Sequence, residues 1–231
     1  MRKRFFSRPL LLALIILPIF ALPAGAGGFF GKASWLLDGT VLFFPENNGM
    51  NSDPMPVLPS LGAGVLWPII DASKMGLSLE LTLDFYMTNY GYDYDLDRAV
   101  PYAVENRSAR VMGSLFATQA AGSYKFNSLV TGRFYAGPAV DLRIITIAAN
   151  LRSDDKAEAS KQTDSIRNYF WSKGRWLMPV FGIGTDFTLN DRFKLGADVR
   201  MWMPMYRLWS GENLPAIEGW RFGAGFRLTI R

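Results

Sequence analysis

From Met75 the chain alternates with period two, placing Met75, Leu77, Leu79, Leu81, Leu83, Phe85 and Met87 on one face and Gly76, Ser78, Glu80, Thr82, Asp84, Tyr86 and Thr88 on the other. Phe193, Leu195, Ala197, Val199, Met201, Met203 and Met205 form a second apolar face opposite Arg192, Lys194, Asp198 and Arg200. From Trp220 the alternation returns, with Trp220, Phe222, Ala224, Phe226, Leu228 and Ile230 against Arg221, Gly223, Gly225, Arg227, Thr229 and Arg231. Each run exceeds the usual five or six residues of a globular strand. Each also reaches the roughly 9 to 11 residues with which a tilted strand crosses a bilayer.

The pattern predicts strands over 31–44, 60–70, 75–88, 109–124, 129–148, 175–189, 192–206 and 218–231. Links after the second, fourth and sixth are short, built on Asp71-Ala72-Ser73-Lys74, Asn127-Ser128 and Asn190-Asp191, and the other links are long and polar. Periodicity alone fits a soluble sandwich as well as a membrane barrel. Strand length and the contrast between short and long links favour the barrel: all-β, eight antiparallel transmembrane strands, short turns inside and long loops outside. Closure follows from the backbone, because an open sheet edge in hydrocarbon leaves polar groups unpaired at several kcal/mol each.

The second and fourth strands have mixed faces, so their register is the least specified. Pro68, Pro138, Pro179 and Pro204 fall inside predicted strands and are read as bulges or strand ends. Aromatic residues gather at the two expected interfaces. Trp35, Phe126, Phe187 and Phe193 lie near the inner rim, and Phe43, Phe44, Phe85, Tyr86, Tyr90, Trp176, Trp202, Trp209 and Trp220 near the outer one. In the third long loop, Ala157, Glu158, Ala159 and Lys161 favour helix, with Ile166 four residues before Phe170. A short rim helix and a solvated loop both fit.

Residues 1–26 read as a secretory signal peptide. Arg2, Lys3, Arg4 and Arg8 precede the 13-residue apolar run Leu10–Leu22, which is too short to span a bilayer and leads to Ala24-Gly25-Ala26. Residues 27–231 then form the barrel domain. They carry 21 cations against 20 acids, so charge gives no case for nucleic-acid binding. Cysteine is absent, which removes disulfides, thiolate metal sites and a lipid-modified N-terminus. The expected location is the cell outer membrane of a two-membrane bacterium, as a multi-pass protein whose partners are outer-membrane lipid and, during biogenesis, the barrel-assembly machinery.

There is no histidine in the sequence. Carboxylate, lysine or tyrosine bases would have to replace it, and no motif for them is present, so the expectation is a non-enzyme with no catalytic residues, no metal and no cofactor. The inward parity collects Asp38, Glu80, Asp84, Asp141, Asp186 and Asp198 with Arg133, Arg143, Lys194, Arg200, Arg221 and Arg227, a charge network for a lumen only just wide enough to be filled by side chains. It reads either as a polar plug or as a constriction beneath an apolar vestibule at Ile145 and Ile147. Tyr90, Tyr92, Tyr94 and Tyr102 give the second long loop the aromatic character of a recognition surface.

The signal, eight alternating strands, short inner turns, long outer loops and the terminal strand Trp220-x-Phe222-x-Ala224-x-Phe226-x-Leu228-x-Ile230 resemble the small outer-membrane barrels grouped around OmpW, OmpX and the OmpA transmembrane domain. Members of that group often end in Phe, whereas this chain ends Ile230-Arg231. The apolar upper-lumen candidates and the helical third loop make the OmpW-like branch the nearest. That resemblance implies a narrow channel for small hydrophobic solutes. The rival expectations are a surface adhesin that uses the barrel to present loops 45–59, 89–108, 149–174 and 207–217 to host ligands, and a purely structural envelope protein.

Overall fold

In a computed structural model the described residues are 33–45, 57–102, 109–147, 156–211 and 219–231. The signal segment lies outside them. The strands are β1 (Ser34–Phe43), β2 (Val57–Asp71), β3 (Met75–Asp93), β4 (Arg98–Tyr102), β5 (Ala109–Lys125), β6 (Val130–Gly137), β7 (Ala139–Ile147), β8 (Val180–Thr188), β9 (Phe193–Trp202) and β10 (Arg221–Ile230). Among the described residues one helix, α1 (Lys156–Trp171), precedes β8, and a 3-10 turn spans Met205–Leu208.

All pairings are antiparallel, and β1 pairs with β10, so the sheet closes. The wall has eight strands because β6 and β7 are two halves of one, broken at Pro138, and both pair with β5. The row of partners from Phe43 runs through Phe222, Met201, Phe181, Ala136, Ala120, Leu79 and Trp67. Leu66 pairs with Ser34, so Trp67 is level with residue 33, and the row has dropped ten residues along β1. That stagger over eight strands corresponds to a tilt of about 40°.

The burial pattern is inverted relative to a water-soluble barrel. Outward residues are large and apolar: Leu61 is 73 % exposed, Phe226 68 %, Ile183 61 % and Phe134 59 %, while inward charges are buried. On β3 the outward series from Met75 to Met87 gives way to Asn89. At about 3.3 Å per residue and this tilt it rises about 30 Å, the thickness of a bilayer's hydrocarbon core. This is a membrane barrel, crossed by strands; among the described residues no helix is long and apolar enough to cross.

Local chemistry sets the strand ends. At two inner turns Asn127 Oδ1 accepts from the amides of Leu129 and Val130 at 2.8 Å, and Asn190 Oδ1 from those of Arg192 and Phe193 at 2.9 Å. Lys125 donates to Asp71 at 2.8 Å and ties two turns together, holding the exposed Asp71 carboxyl below its usual range. Each of the four prolines occupies a bulge or an end: Pro68 at a register shift, Pro138 between β6 and β7, Pro179 before β8 and Pro204 before the 3-10 turn.

The outer rim is uneven. Tyr90, Ala109 and Ile147 lie level on β3, β5 and β7, and β4 folds back on β3 from Asp93 to Asn89. On the β8 side, β7 has its last partner at the Val140–Leu177 bridge. A sheet of β4, β3, β5 and β7 therefore projects beyond the membrane belt, and α1 packs against it. The β4 hairpin was absent from the sequence expectation, and of the two readings for the third loop the helix is the one observed.

Candidate functional site

The lumen is filled in layers. In the inner layer Arg200 on β9 donates to Asp38 on β1 at 2.5 Å, to Asp198 at 2.8 Å and, more weakly, to both oxygens of Asp84 on β3 at 3.4 Å. Arg227 on β10 donates to the same Asp38 oxygen at 3.1 Å and to Glu80 Oε2 at 2.8 Å. Arg133 on β6 donates to Glu80 Oε1 at 3.0 Å and approaches Asp186 at 3.4 Å and Asp198 at 3.6 Å. All of these side chains are buried. Inward strand positions supply them at a spacing of two, which is why the alternation in sequence becomes a charged layer in space.

Above them lies an apolar layer of Leu42, Leu115, Ala117, Ala139, Met178, Val180 and Trp202. Beyond it a second polar layer centres on Asp141. Tyr86 donates to its two oxygens at 2.9 and 3.1 Å, Arg143 donates at 2.6 Å, and Arg221 forms a close ion pair with it while lying 4.7 Å over the Phe44 ring. Gly113 makes room for this arrangement: a Cβ there would fall 1.9 Å from the Tyr86 ring.

The outer cap closes the mouth. Ala159, Thr163, Ile166 and Phe170 form the buried stripe of α1 at spacings of four, three and four. Ile166 and Phe170 pack with Tyr90, Ala99, Ala109, Val111 and Ile145. The Phe170 ring meets Tyr90 edge-on at 4.8 Å and carries the Arg143 guanidinium 3.9 Å above its face. The helix ends where Lys173 and Gly174 take positive φ, and Trp209 donates its indole N–H to the Lys173 carbonyl at 2.7 Å.

Of the sequence-predicted charges, Asp38, Glu80, Asp84, Arg133, Asp186, Asp198, Arg200 and Arg227 meet in the inner layer, and Asp141, Arg143 and Arg221 in the second. Lys194 keeps the inward parity but stands at the inner rim, half-buried and level with Thr188 and Thr229, below the network. Ile145 does not line an open vestibule: it is covered by α1. Ile147 ends β7 level with Ala109, and its side chain lies outside the description.

The loop tyrosines divide. Tyr90 is fully buried inside the cap and so is not a recognition residue. Tyr92 and Tyr94 stack edge-on at 5.1 Å near the turn into β4, with Tyr94 49 % exposed. Tyr92 donates to Asp97 at 2.5 Å, and burial together with that carboxylate pushes its hydroxyl up to about 12. Tyr102 ends β4 level with Asn89, its side chain undescribed. Phe44, Tyr86, Tyr90 and Trp202, expected in the outer girdle, instead point inward. Tyr86 shares its parity with Glu80 and Asp84, and Trp202 with Asp198 and Arg200, a signal present in the sequence. Arg98 and Arg175, buried in the cap, had no such signal.

No family model matches the chain, and no curated relative does. Among solved structures it is similar to Neisserial surface protein A, at 8 % identity over 86 % of this chain and 96 % of that one, with a TM-score of 0.49. It is also similar to the outer membrane protein OprG from Pseudomonas aeruginosa (11 % identity, 87 % and 96 % covered, TM-score 0.46). The attachment invasion locus protein Ail of Yersinia pestis gives 7 % identity, 86 % and 97 % coverage and a TM-score of 0.44. These are small outer-membrane barrels, and what the chain shares with them is the eight-stranded fold.

Proposed function

We propose that this chain is an outer-membrane protein of a two-membrane bacterium whose sealed barrel serves as a rigid platform, and that its working surface is the outer cap. The observation that carries this reading is the filled lumen: two charged layers, the apolar layer between them and α1 seated in the mouth. The cap presents Tyr94 and Leu96 at the β3–β4 turn and Trp171, Leu208 and Trp209 around the end of α1, all exposed. Such side chains offer contact area at low entropy cost, which suits a macromolecule at the cell surface, a host ligand included. The test uses the full chain refolded in lipid. Planar bilayers should show no unitary conductance, and cells carrying the protein should bind a surface partner that cells carrying Tyr94→Ser/Leu96→Ser do not. Steady conductance from the unaltered protein would reverse the assignment.

A second reading, a gated pathway for small hydrophobic solutes, draws on the apolar compartment of Tyr90, Val111 and Ile145 beneath α1. It requires α1 to leave the mouth. Solute flux into proteoliposomes that appears only when α1 is deleted or displaced would support it.

A further inference from the structure

The inner layer is unbalanced. It holds five carboxylates, on Asp38, Glu80, Asp84, Asp186 and Asp198, against the guanidiniums of Arg133, Arg200 and Arg227, all buried. Lys194, at the rim a step below Asp186 on the neighbouring strand, offsets one of the two excess charges. The other has no partner within the layer: the surplus cation of the lumen lies beyond the apolar layer, where Arg143 and Arg221 share the one carboxylate of Asp141, and a buried charge with no partner in contact is strongly unfavourable.

Geometry marks where compensation belongs. Asp38, Gly62 and Asp84 stand level on β1, β2 and β3. Gly62 contributes no side chain between the two acids, and a Cβ there would fall 2.3 Å from Asp84 Oδ1, so that carboxylate leans over β2 toward β1. Among the described residues Asp84 is held only by the 3.4 Å contacts from Arg200. Among the described residues Asp38 Oδ2 accepts no hydrogen bond, although the residue is only 4 % exposed. At the next inward position Thr40 and Ser60 are level with each other, both buried, and their hydroxyl oxygens also have no hydrogen-bond partner among the described residues. The charged and titratable groups facing this place are Arg200 and Asp198 from β9, Arg227 from β10, Glu80 and Tyr86 along β3, and Tyr135 from β6.

We propose that the Asp38–Gly62–Asp84 row binds one added positive charge, a proton or an alkali-metal ion in the same place, with the Ser60 and Thr40 hydroxyls as its neutral oxygens. A proton would make Asp84 a donor toward the orphan oxygen of Asp38. An ion would take both carboxylates and the hydroxyls as oxygen ligands.

The experiment uses the full chain refolded into phosphatidylcholine vesicles at neutral pH. Infrared spectra are searched for the C=O stretch of a protonated carboxylic acid, and unfolding midpoints are compared in sodium chloride and in choline chloride at equal ionic strength. A protonated-acid band that disappears in Asp84→Asn, with no sodium dependence, identifies the proton. No such band, with a midpoint raised by sodium and a sodium effect lost in Asp84→Asn, identifies the ion. Asp84→Asn should fold with an unchanged or raised midpoint, because it removes the unmatched charge. Should it not fold, Ser60→Ala reads the same site through a weakened sodium effect or a shifted acid band. Neither band nor sodium effect in the unaltered protein overturns the proposal, and so does an acid band that survives Asp84→Asn and vanishes in Asp186→Asn.

Discussion

Replacing Arg200 with Met keeps the approximate length and volume of the side chain and removes its charge, so the loss isolates what the guanidinium does for three acids. Asp38 keeps its 3.1 Å contact from Arg227, and Asp198 keeps only distant ones, at 3.6 Å from Arg133 and 3.7 Å from Arg227. Among the described residues Asp84 keeps no cation in contact, only the more distant Arg227. Removing one partner of a buried pair costs about 3–5 kcal/mol, since the remaining charge stays buried without compensation. Arg200→Met should therefore lose about 3–5 kcal/mol, which at about 1.4 kcal/mol per tenfold means about two to three and a half decades in the unfolding equilibrium. The assay is urea unfolding in lipid vesicles, followed by tryptophan fluorescence and by the heat-dependent gel mobility of the folded barrel. Adding Asp84→Leu should recover part of the loss by removing the orphaned acid. A loss below about 1 kcal/mol, the range of a solvent-screened surface pair, would mean that water enters the layer and that the lumen is not sealed.

Three further outcomes are expected. Phe170→Ala, which takes the largest buried apolar side chain of α1 from the cap, should cost about 3–5 kcal/mol of local stability, seen as protease cleavage within 156–171 while the barrel keeps its gel mobility. Gly113→Ala forces Tyr86 off Asp141 and should destabilise by about 1–3 kcal/mol, whereas the double variant Gly113→Ala/Tyr86→Leu should be milder than the sum of its parts. Tyr92, whose folded value of about 12 lies above the ordinary tyrosine value, contributes stability that is complete below about pH 10 and is lost as pH rises toward 12. Ultraviolet titration should find one late-ionising tyrosine, brought to lower pH by Asp97→Asn.

The membrane-spanning part of the fold was legible because one rule governs it: period two carries an outward apolar side and an inward polar side from β1 to β10. The same rule gathers eleven of the charges that face the lumen on one parity. At Tyr86, Tyr90 and Trp202 aromatic character suggests the interface, while parity with Asp84 and Asp198 points inward. An inward aromatic at the top of a strand and an outward one in a girdle share composition, and only parity separates them. The cap was far less legible. Its contacts join α1 to β3, β4, β5 and β7, and Arg143 meets Phe170 across 27 positions of sequence. No local pattern encodes such pairs. The division of the charges into two layers was hidden for a similar reason, since it depends on the ten-residue stagger of the barrel and so on all eight pairings together.

The same layering bears on whether anything passes through. A water-filled path would have to hydrate the apolar layer between the two polar ones, and Leu42, Leu115, Met178 and Trp202 are each no more than 1 % exposed there. At about 1.5–3 kcal/mol for each large apolar side chain transferred to water, opening costs about 6–12 kcal/mol before α1 is moved. At about 1.4 kcal/mol per tenfold, that leaves the open form below the closed one by roughly four to eight decades. A solute could reverse such a ratio only by binding the open form better by the same free energy. A small apolar molecule that filled the space of Phe170 and Ile166 would recover part of the cost of moving the helix and none of the cost of the layer beneath. On the proposed reading, the side chains open to a partner are therefore those that the cap holds outside the barrel.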